Sequence, residues 1–550
     1  MTDTAQKMIN DAIKAIEDRG FWAAYPEHPK AYGEEAGAKG LENFKAMLNR
    51  PFVGIEQNDP AKYIGEEVSP YTQDSLGIKY PAFEVDTLIV RAARSMDQWR
   101  KTSVDERANV LVDSLERVKN KFFEIAYATM HTTGQSYMMS FQASGPHSND
   151  RALEALALGY QELKRYPDSV TWDKPMGKFN IVLNKTYKAV PKGIALAIGC
   201  STFPVWNTVP GVYASLIAGN SVIVKPHPKA VLAIAIVVAE IQAALKAAGL
   251  DTNICQLAVD SSDAMITKEL AEHPLVKIID YTGGSAFGDY VESLPGKTTF
   301  TEKAGVNSVI LDSVEDLGAV VQNLGFSLSL YSGQMCTAPQ NIFIPAGGIE
   351  TADGHKSYEE VVAALKGAVD GLVNHPKMGP GTLGAIQSEQ TAKRVKASAD
   401  MDAAVVLDSA AIANPEFENA RTGSPILLEL DAKDKGIYEN ELFGPIALII
   451  KTANTDESIQ LAHDMALQHG AITCAAYTTN EETAQKIEEE MEKAFTPVSL
   501  NLTGFIWVNQ HAAFSDFHVT GGNPAGNASF ANPEYVNKRF VWVGHRRLAN

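Results

Sequence analysis

Between Gly193 and Glu302, short apolar runs alternate with longer stretches whose apolar positions recur at helical spacing. The runs are GIALAIG (193–199), SVIV (221–224), ICQLAV (254–259) and KIIDYTG (277–283). Helical patterns fill about 206–218, 231–247 and 263–272, and another helix opens after Gly284. Runs too short for helices, separated by stretches too long for turns, predict βαβ units and a parallel sheet. In such sheets ligands bind beyond the carboxyl ends of the strands. A second alternating stretch starts near Ser308 and continues to about Asn509.

The flanking segments have other patterns. Met8, Ile9, Ala12, Ile13 and Ile16 form one helical stripe, with Gly20 as a stop signal, and a second short helix is expected near 43–49. This extension reads as a packing arm. From 85 to 133 long amphipathic helices are expected, one opened by a capping box in which Ser103 and Glu106 satisfy each other's backbone donors. The segment 178–190 is rich in β-branched and aromatic residues. With its turn-like Asn184-Lys185, it reads as a hairpin or a pair of extended strands. RFVWVG near the C-terminus reads as a last strand.

At 550 residues, the chain has room for three or four domain-sized units. With 48 basic and 66 acidic residues the net charge is −18, so neither nucleic acid nor an anionic membrane is an expected partner. The longest apolar run, 230–239, stops at Glu240, half a membrane span. The N-terminus lacks a basic region followed by an apolar core, so no signal peptide is expected. The four cysteines, Cys200, Cys255, Cys336 and Cys474, show no paired spacing, which makes a reducing cytoplasm the default compartment. No HExxH pattern occurs among the twelve histidines, and no metal site is expected.

A few residues stand out as chemistry. Cys336 sits among Ser332, Gly333, Gln334 and Thr337, small and polar neighbours that suit a turn at a site; a thiol there is a candidate nucleophile. Cys200, Cys255 and Cys474 lie in or beside apolar runs and read as buried. Glu302 follows a short strand and is either a general base, if burial raises its pKa towards 7, or a solvated turn residue. Gly283, Gly284, Ser285 and Gly288 close a strand and open a helix, where small residues admit a diphosphate or merely make a tight turn. Lys225, His227 and Lys229 follow the strand SVIV as a phosphate cluster or as a proline-marked helix start.

Together these features resemble the aldehyde dehydrogenase superfamily. Glu302 precedes Cys336 of the GQMC box by 34 residues, Glu441-Leu442-Phe443-Gly444-Pro445 matches the family's E-x-F-G-P box, and Lys225, Gly283–Gly288 and Trp507-Val508-Asn509 follow in family order. The extension and the segments GCSTFP and GQMCTAPQNIFIP resemble one branch, the ring-opening aldehyde dehydrogenases of phenylacetate degradation. The chain departs from the family at two positions. Thr202 stands where members carry an oxyanion-binding Asn, its register secured by Gly219-Asn220, and Pro228 stands where NAD-preferring members carry a ribose-binding Glu.

The resemblance implies an α/β fold with a Rossmann-like cofactor domain (81–172 and 191–302), an α/β catalytic domain (303–509) and a small β oligomerisation flap with the C-terminal tail (173–190 and 510–550), behind an extension (1–80). Strands from 178–190 and 540–543 would form the flap of a homodimer or homotetramer, or an ordinary hairpin in a monomer. Cys336 would attack an aldehyde, Glu302 would activate the water that hydrolyses the thioester, and Glu441 and Phe443 would position the nicotinamide. Thr202, helped by Asn207 and the Cys336 N–H, would hold the oxyanion, or would only cap the next helix. Phe203, Trp206 and Phe514 would line the substrate pocket or pack the core. Pro228, His227 and Lys229 favour NADP, with NAD possible. The implied substrate is a CoA-linked semialdehyde formed by ring opening, and because the chain ends at Asn550 without a hydratase module, only its oxidation is expected. The alternatives are a semialdehyde of benzoyl-CoA breakdown, a CoA-acylating enzyme, and an inactive scaffold.

Overall fold

The computed structural model describes residues 1–509, 512–530 and 532–549. The alternation after Gly193 folds into a five-stranded parallel sheet in the order Cys255–Leu257, Val222–Lys225, Ile194–Ile198, Val276–Thr282, Thr298–Glu302. Ile194–Ile198 and Val222–Lys225 are buried throughout, as strands covered on both faces must be. The chain steps outward from Ile194–Ile198 to one side and then returns to its other side. The switch point therefore lies between Ile194–Ile198 and Val276–Thr282. The loops leaving these two strands carry Cys200–Asn207 and Gly283–Gly284.

Two expected helices are shorter than the pattern suggested. The one expected at 206–218 is Val209–Ile217, with Pro210 in its first turn. The one expected at 263–272 is Thr267–Glu272, because Ser261 and Ala264 pair across a turn.

A seven-stranded sheet follows, ordered Ala404–Leu407, Ile426–Asp431, Ile446–Thr452, Pro339–Pro345, Asn307–Leu311, Cys474–Tyr477, Val498–Leu500. Only the edge strand Ala404–Leu407 pairs antiparallel. The first sheet ends at Glu302, and the next strand, Asn307–Leu311, already belongs to the second. Cys336 immediately precedes Pro339–Pro345, the neighbour of Asn307–Leu311. Connectivity thus brings Glu302 and Cys336 to the seam between the sheets.

The third sheet is antiparallel, ordered Phe540–Leu548, Asn180–Pro191, Ser169–Pro175. The turn expected at Asn184-Lys185 is absent. Asn180–Pro191 is one continuous strand, because Lys185 pairs with Val170 on one side and with Arg546 on the other. The reversal occurs instead around Gly177, at φ 77°.

The N-terminal extension is built into the core. Its first helix, Asp3–Asp18, buries Ile9, Ala12 and Ile16 and ends in a left-handed Arg19 one residue before Gly20. The second helix is Ala36–Met47, earlier than expected. Gln57 offers its amide to both the N–H and the C=O of Leu257, closing the open edge of the parallel sheet. The buried Glu67 accepts the N–H groups of Val231 and Leu232 at the start of the helix Leu232–Ala247. The Ser103–Glu106 capping box forms as expected.

Candidate active site

The nucleophile sits on a strained turn. Tyr331, Ser332 and Gly333 are all left-handed, at φ 51°, 49° and 59°. Such a run persists only where its surroundings over-determine it. Tyr331 donates to the Thr133 carbonyl at 2.6 Å, Ser332 to the Leu383 carbonyl at 3.1 Å, and Gln334 to the Ala385 carbonyl at 3.0 Å. Beyond the turn, Asn307 donates to the carbonyls of Cys336 (2.8 Å) and Ala338 (2.9 Å) and accepts the N–H groups of Ile472 and Thr473. Cys336 is thereby tied to the second sheet.

The Cys336 Sγ donates to Glu302 Oε1 at 2.9 Å. His518 Nε2 lies 3.2 Å from the same oxygen, and Asn207 Nδ2 donates to Oε2 at 2.7 Å. Burial alone would raise the Glu302 pKa, as the sequence suggested. The neighbouring His518 and the hydrogen bonds from Cys336 and Asn207 outweigh it, and the carboxyl is held below its ordinary value. Burial, followed by the charge and hydrogen bond of Glu302, keeps the Cys336 thiol well above its ordinary pKa. The resting pair is therefore a neutral thiol donating to a carboxylate.

Beside Thr202, the Cys200 thiol donates to Asn207 Oδ1 at 3.8 Å and is pushed up to about 11, chiefly by burial. The Thr202 carbonyl accepts from Gln135 at 2.8 Å. Thr202 does not cap the following helix, whose N-cap is Thr208. Asn207, expected to assist at the oxyanion, is committed to Glu302.

On the cofactor side, Lys225 is buried and pairs with Asp260 at 2.7 Å. His227 does not supply the expected positive charge. Burial, with Lys225 and Lys229 adding to it, pushes its pKa down to about 4, and its Nδ1 accepts the Lys229 N–H. Lys229 is exposed. The helix Ser285–Ser293 starts at Gly284 without a side-chain cap, and Gly284, Ser285 and Ala286 are exposed. A Cβ on Gly284 would meet nothing within 4 Å, whereas one on Gly288 would lie 2.5 Å from the Lys303 side chain. An open, uncapped helix start beside the switch point fits a dinucleotide diphosphate. Across the site, Cys336, Gly333, Glu441 and Phe443 line one groove. Burial pushes the Glu441 pKa up to about 7, against the opposing charge of Arg394, which itself donates to the Phe443 carbonyl at 2.7 Å.

The three aromatic residues separate. Phe203 meets Tyr331 edge-on at 5.8 Å, and Trp206 meets His518 edge-on at 4.6 Å. Phe514 is fully buried, packs against Trp22 of the extension at 4.7 Å and donates its N–H to Glu154. It is a core residue, which corrects its reading as pocket lining. His518, Asn307 and Arg394 went unremarked in the sequence, and no local motif around them marks them as site residues.

The family model described as "Aldehyde dehydrogenase family" matches residues 58–537. The chain belongs to the aldehyde dehydrogenase family. A crystal structure of an NAD-dependent aldehyde dehydrogenase from Burkholderia multivorans superposes with a TM-score of 0.97 at 42% identity, covering 99% of this chain and 98% of that one. Among curated aldehyde dehydrogenases, the chain is similar to the benzaldehyde dehydrogenase of Bacillus subtilis, at 23% identity over 91% of this chain and 98% of the relative. It is also similar to the NADP(+) succinate-semialdehyde dehydrogenase of Deinococcus radiodurans, at 25% identity over 90% and 95%. The α/β architecture expected from the resemblance is that of this family.

Proposed function

We propose that this NAD(P)-dependent aldehyde dehydrogenase oxidises a ring-opened, CoA-linked semialdehyde of the phenylacetate-degradation type to its carboxylic acid. The observation that carries the hydrolytic chemistry is the 2.9 Å hydrogen bond from Cys336 Sγ to Glu302. An ionised carboxylate that already receives the thiol hydrogen is a general base in place. The GCSTFP and GQMCTAPQNIFIP segments support the substrate class.

Glu302 takes the thiol proton, and the Cys336 sulfur forms a bond to the aldehyde carbon as the carbonyl electrons move onto oxygen. The backbone N–H of Cys336 would be one donor to that charge. The Thr202 hydroxyl would serve as a second donor. When bound, the nicotinamide supplies the hydride acceptor that makes oxidation to a thioester possible. Glu441, Phe443, Lys225 and the Gly284–Ser285 helix start would hold the cofactor. Glu302, its proton released to solvent, then takes a proton from the water that attacks the thioester carbonyl, and Cys336 departs as thiolate. The presence of a base at position 302 weighs against the CoA-acylating and scaffold readings.

NADP is proposed as the better acceptor because Pro228 places no carboxylate at its position and Lys229 is exposed. NAD is the competing reading. It is favoured by the neutral His227, by the negative charge of Glu66 close to Lys225 and His227, and by the NAD-dependent Burkholderia neighbour. We further propose a cytoplasmic homodimer or homotetramer assembled through the antiparallel flap, whose strand Phe540–Leu548 exposes Val541 and Leu548. No helix among the described residues is long and apolar enough to cross a membrane.

The test is a panel of aldehydes with and without a CoA end, assayed with each cofactor and with free CoA added. The expected result is a free acid product, highest kcat/KM for a CoA-linked semialdehyde and a higher kcat/KM with NADP. Acyl-CoA as product, or simple aldehydes as the best substrates, would overturn the substrate reading. Cys336→Ala should abolish turnover. Glu302→Gln should lower kcat by about 10²–10⁴-fold, the range expected for loss of a general base.

A further inference from the structure

The carboxylate of Glu302 faces three side chains from three different parts of the chain. Oε1 receives Cys336 Sγ–H and faces His518 Nε2, while Oε2 receives Asn207. Asn207 and Cys336 belong to loops that the family boxes already mark. His518 belongs to the C-terminal segment, near no motif, and nothing in the chemistry above assigns it a task. Its side chain is 2% exposed, as is that of Glu302. The ring is fixed by the edge of Trp206 at 4.6 Å and by Phe530 at 5.5 Å. Its backbone is fixed as well, since the Phe530 N–H donates to the His518 carbonyl at 3.1 Å. The imidazole cannot swing away without disturbing all of these.

We propose that His518 is the positioning residue that keeps Glu302 charged and turned towards Cys336. A carboxylate this buried tends to hold its proton, and a protonated Glu302 could not accept the thiol hydrogen. The imidazole, with Nε2 3.2 Å from Oε1, opposes that tendency and favours the rotamer that faces the sulfur. Proton balance follows: the Cys336 proton passes to Glu302, leaving a thiolate, a neutral carboxyl and an unchanged His518 beside them. The other titratable groups acting on the cluster are Cys200 and Glu441, which act on the Cys336 thiol, and Tyr535, on which the Glu302 charge acts. Arg151 lies one ring further off, over the far side of Trp206 at 5.6 Å.

The proposal rests on Glu302 acting as the base for Cys336, and the test separates the two. Iodoacetamide alkylation of Cys336 is followed by mass spectrometry of its peptide, without substrate or cofactor, across about pH 5 to 9. The variants are Glu302→Gln, His518→Leu and His518→Gln, with thermal melting of each. His518→Leu should slow alkylation at neutral pH roughly tenfold or more, the loss expected for one charge-assisted hydrogen bond. Its pH midpoint should move up, because Glu302 then keeps its proton to higher pH. His518→Gln, which retains a donor without the charge, should fall between the two, with the midpoint displaced in the same direction. General loosening of the fold would expose Cys336 and speed alkylation, so damage cannot mimic the expected slowing. An unchanged rate and midpoint in His518→Leu overturns the proposal, as does the same result in His518→Gln should the leucine variant fail to fold. Slow alkylation in Glu302→Gln beside wild-type behaviour in His518→Leu removes His518 alone. Unchanged alkylation in Glu302→Gln removes the base, and the role of His518 falls with it.

Discussion

Gly333, in the turn before the nucleophile, backs onto Gly444 so closely that a Cβ on Gly333 would lie 2.5 Å from the Gly444 carbonyl oxygen. Two motifs over a hundred residues apart are thereby locked in register: the turn that presents Cys336 and the box that carries Glu441 and Phe443. Gly333 also has φ 59°, where a side chain adds strain.

Gly333→Ala should therefore separate the nucleophile from the cofactor box. The backbone and contact cost is about 1–3 kcal/mol, visible as a lower Tm in calorimetry. The larger effect should fall on kcat, by at least about tenfold, since small misplacements at a reacting centre are costly. A variant with wild-type kcat would show that the contact is not needed for alignment.

Glu441 should make cofactor binding depend on pH. Its pKa is pushed up to about 7, so the carboxylate proposed to hold the ribose is formed only as pH rises through that value. KM for the cofactor should fall between about pH 6 and 8 and become flat in Glu441→Gln. Stability should move in the opposite sense. A carboxyl whose folded pKa is raised contributes fully below its unfolded pKa, and that contribution is lost as pH rises through the folded one. Wild type should thus lose stability relative to Glu441→Gln between about pH 4.5 and 7 in Tm measurements. A KM profile identical in the two proteins would remove Glu441 from the ribose site.

Glu67→Ala should show that the extension supports the cofactor domain. It leaves the N–H groups of Val231 and Leu232 and the Tyr80 hydroxyl without their buried acceptor. The expected cost is about 2–4 kcal/mol, read from urea unfolding, whereas Glu67→Gln, which keeps an acceptor, should cost less. Equal stability of alanine variant and wild type would mean that the helix start finds other partners.

The sequence by itself determined the elements whose cause is local. Alternating apolar runs between Gly193 and Glu302 specify parallel strands because only strands covered on both faces are apolar throughout, and the Ser103–Glu106 box forms because its partners are one helical turn apart. Cys336, Glu302, Lys225 and Glu441 were legible because each lies in a compact motif at a strand end or turn. Tertiary structure decided what depends on residues far apart in the chain. Asn184-Lys185 looks like a turn, yet neighbours on both sides, Val170 and Arg546, hold it in a strand. Phe514 looks like pocket lining, yet Trp22 draws it into the core. Burial alone would raise the pKa of Glu302, and its neighbours in the fold reverse the sign. His518, over two hundred residues away, lies 3.2 Å from the carboxylate, and together with Cys336 and Asn207 it outweighs the cost of desolvation.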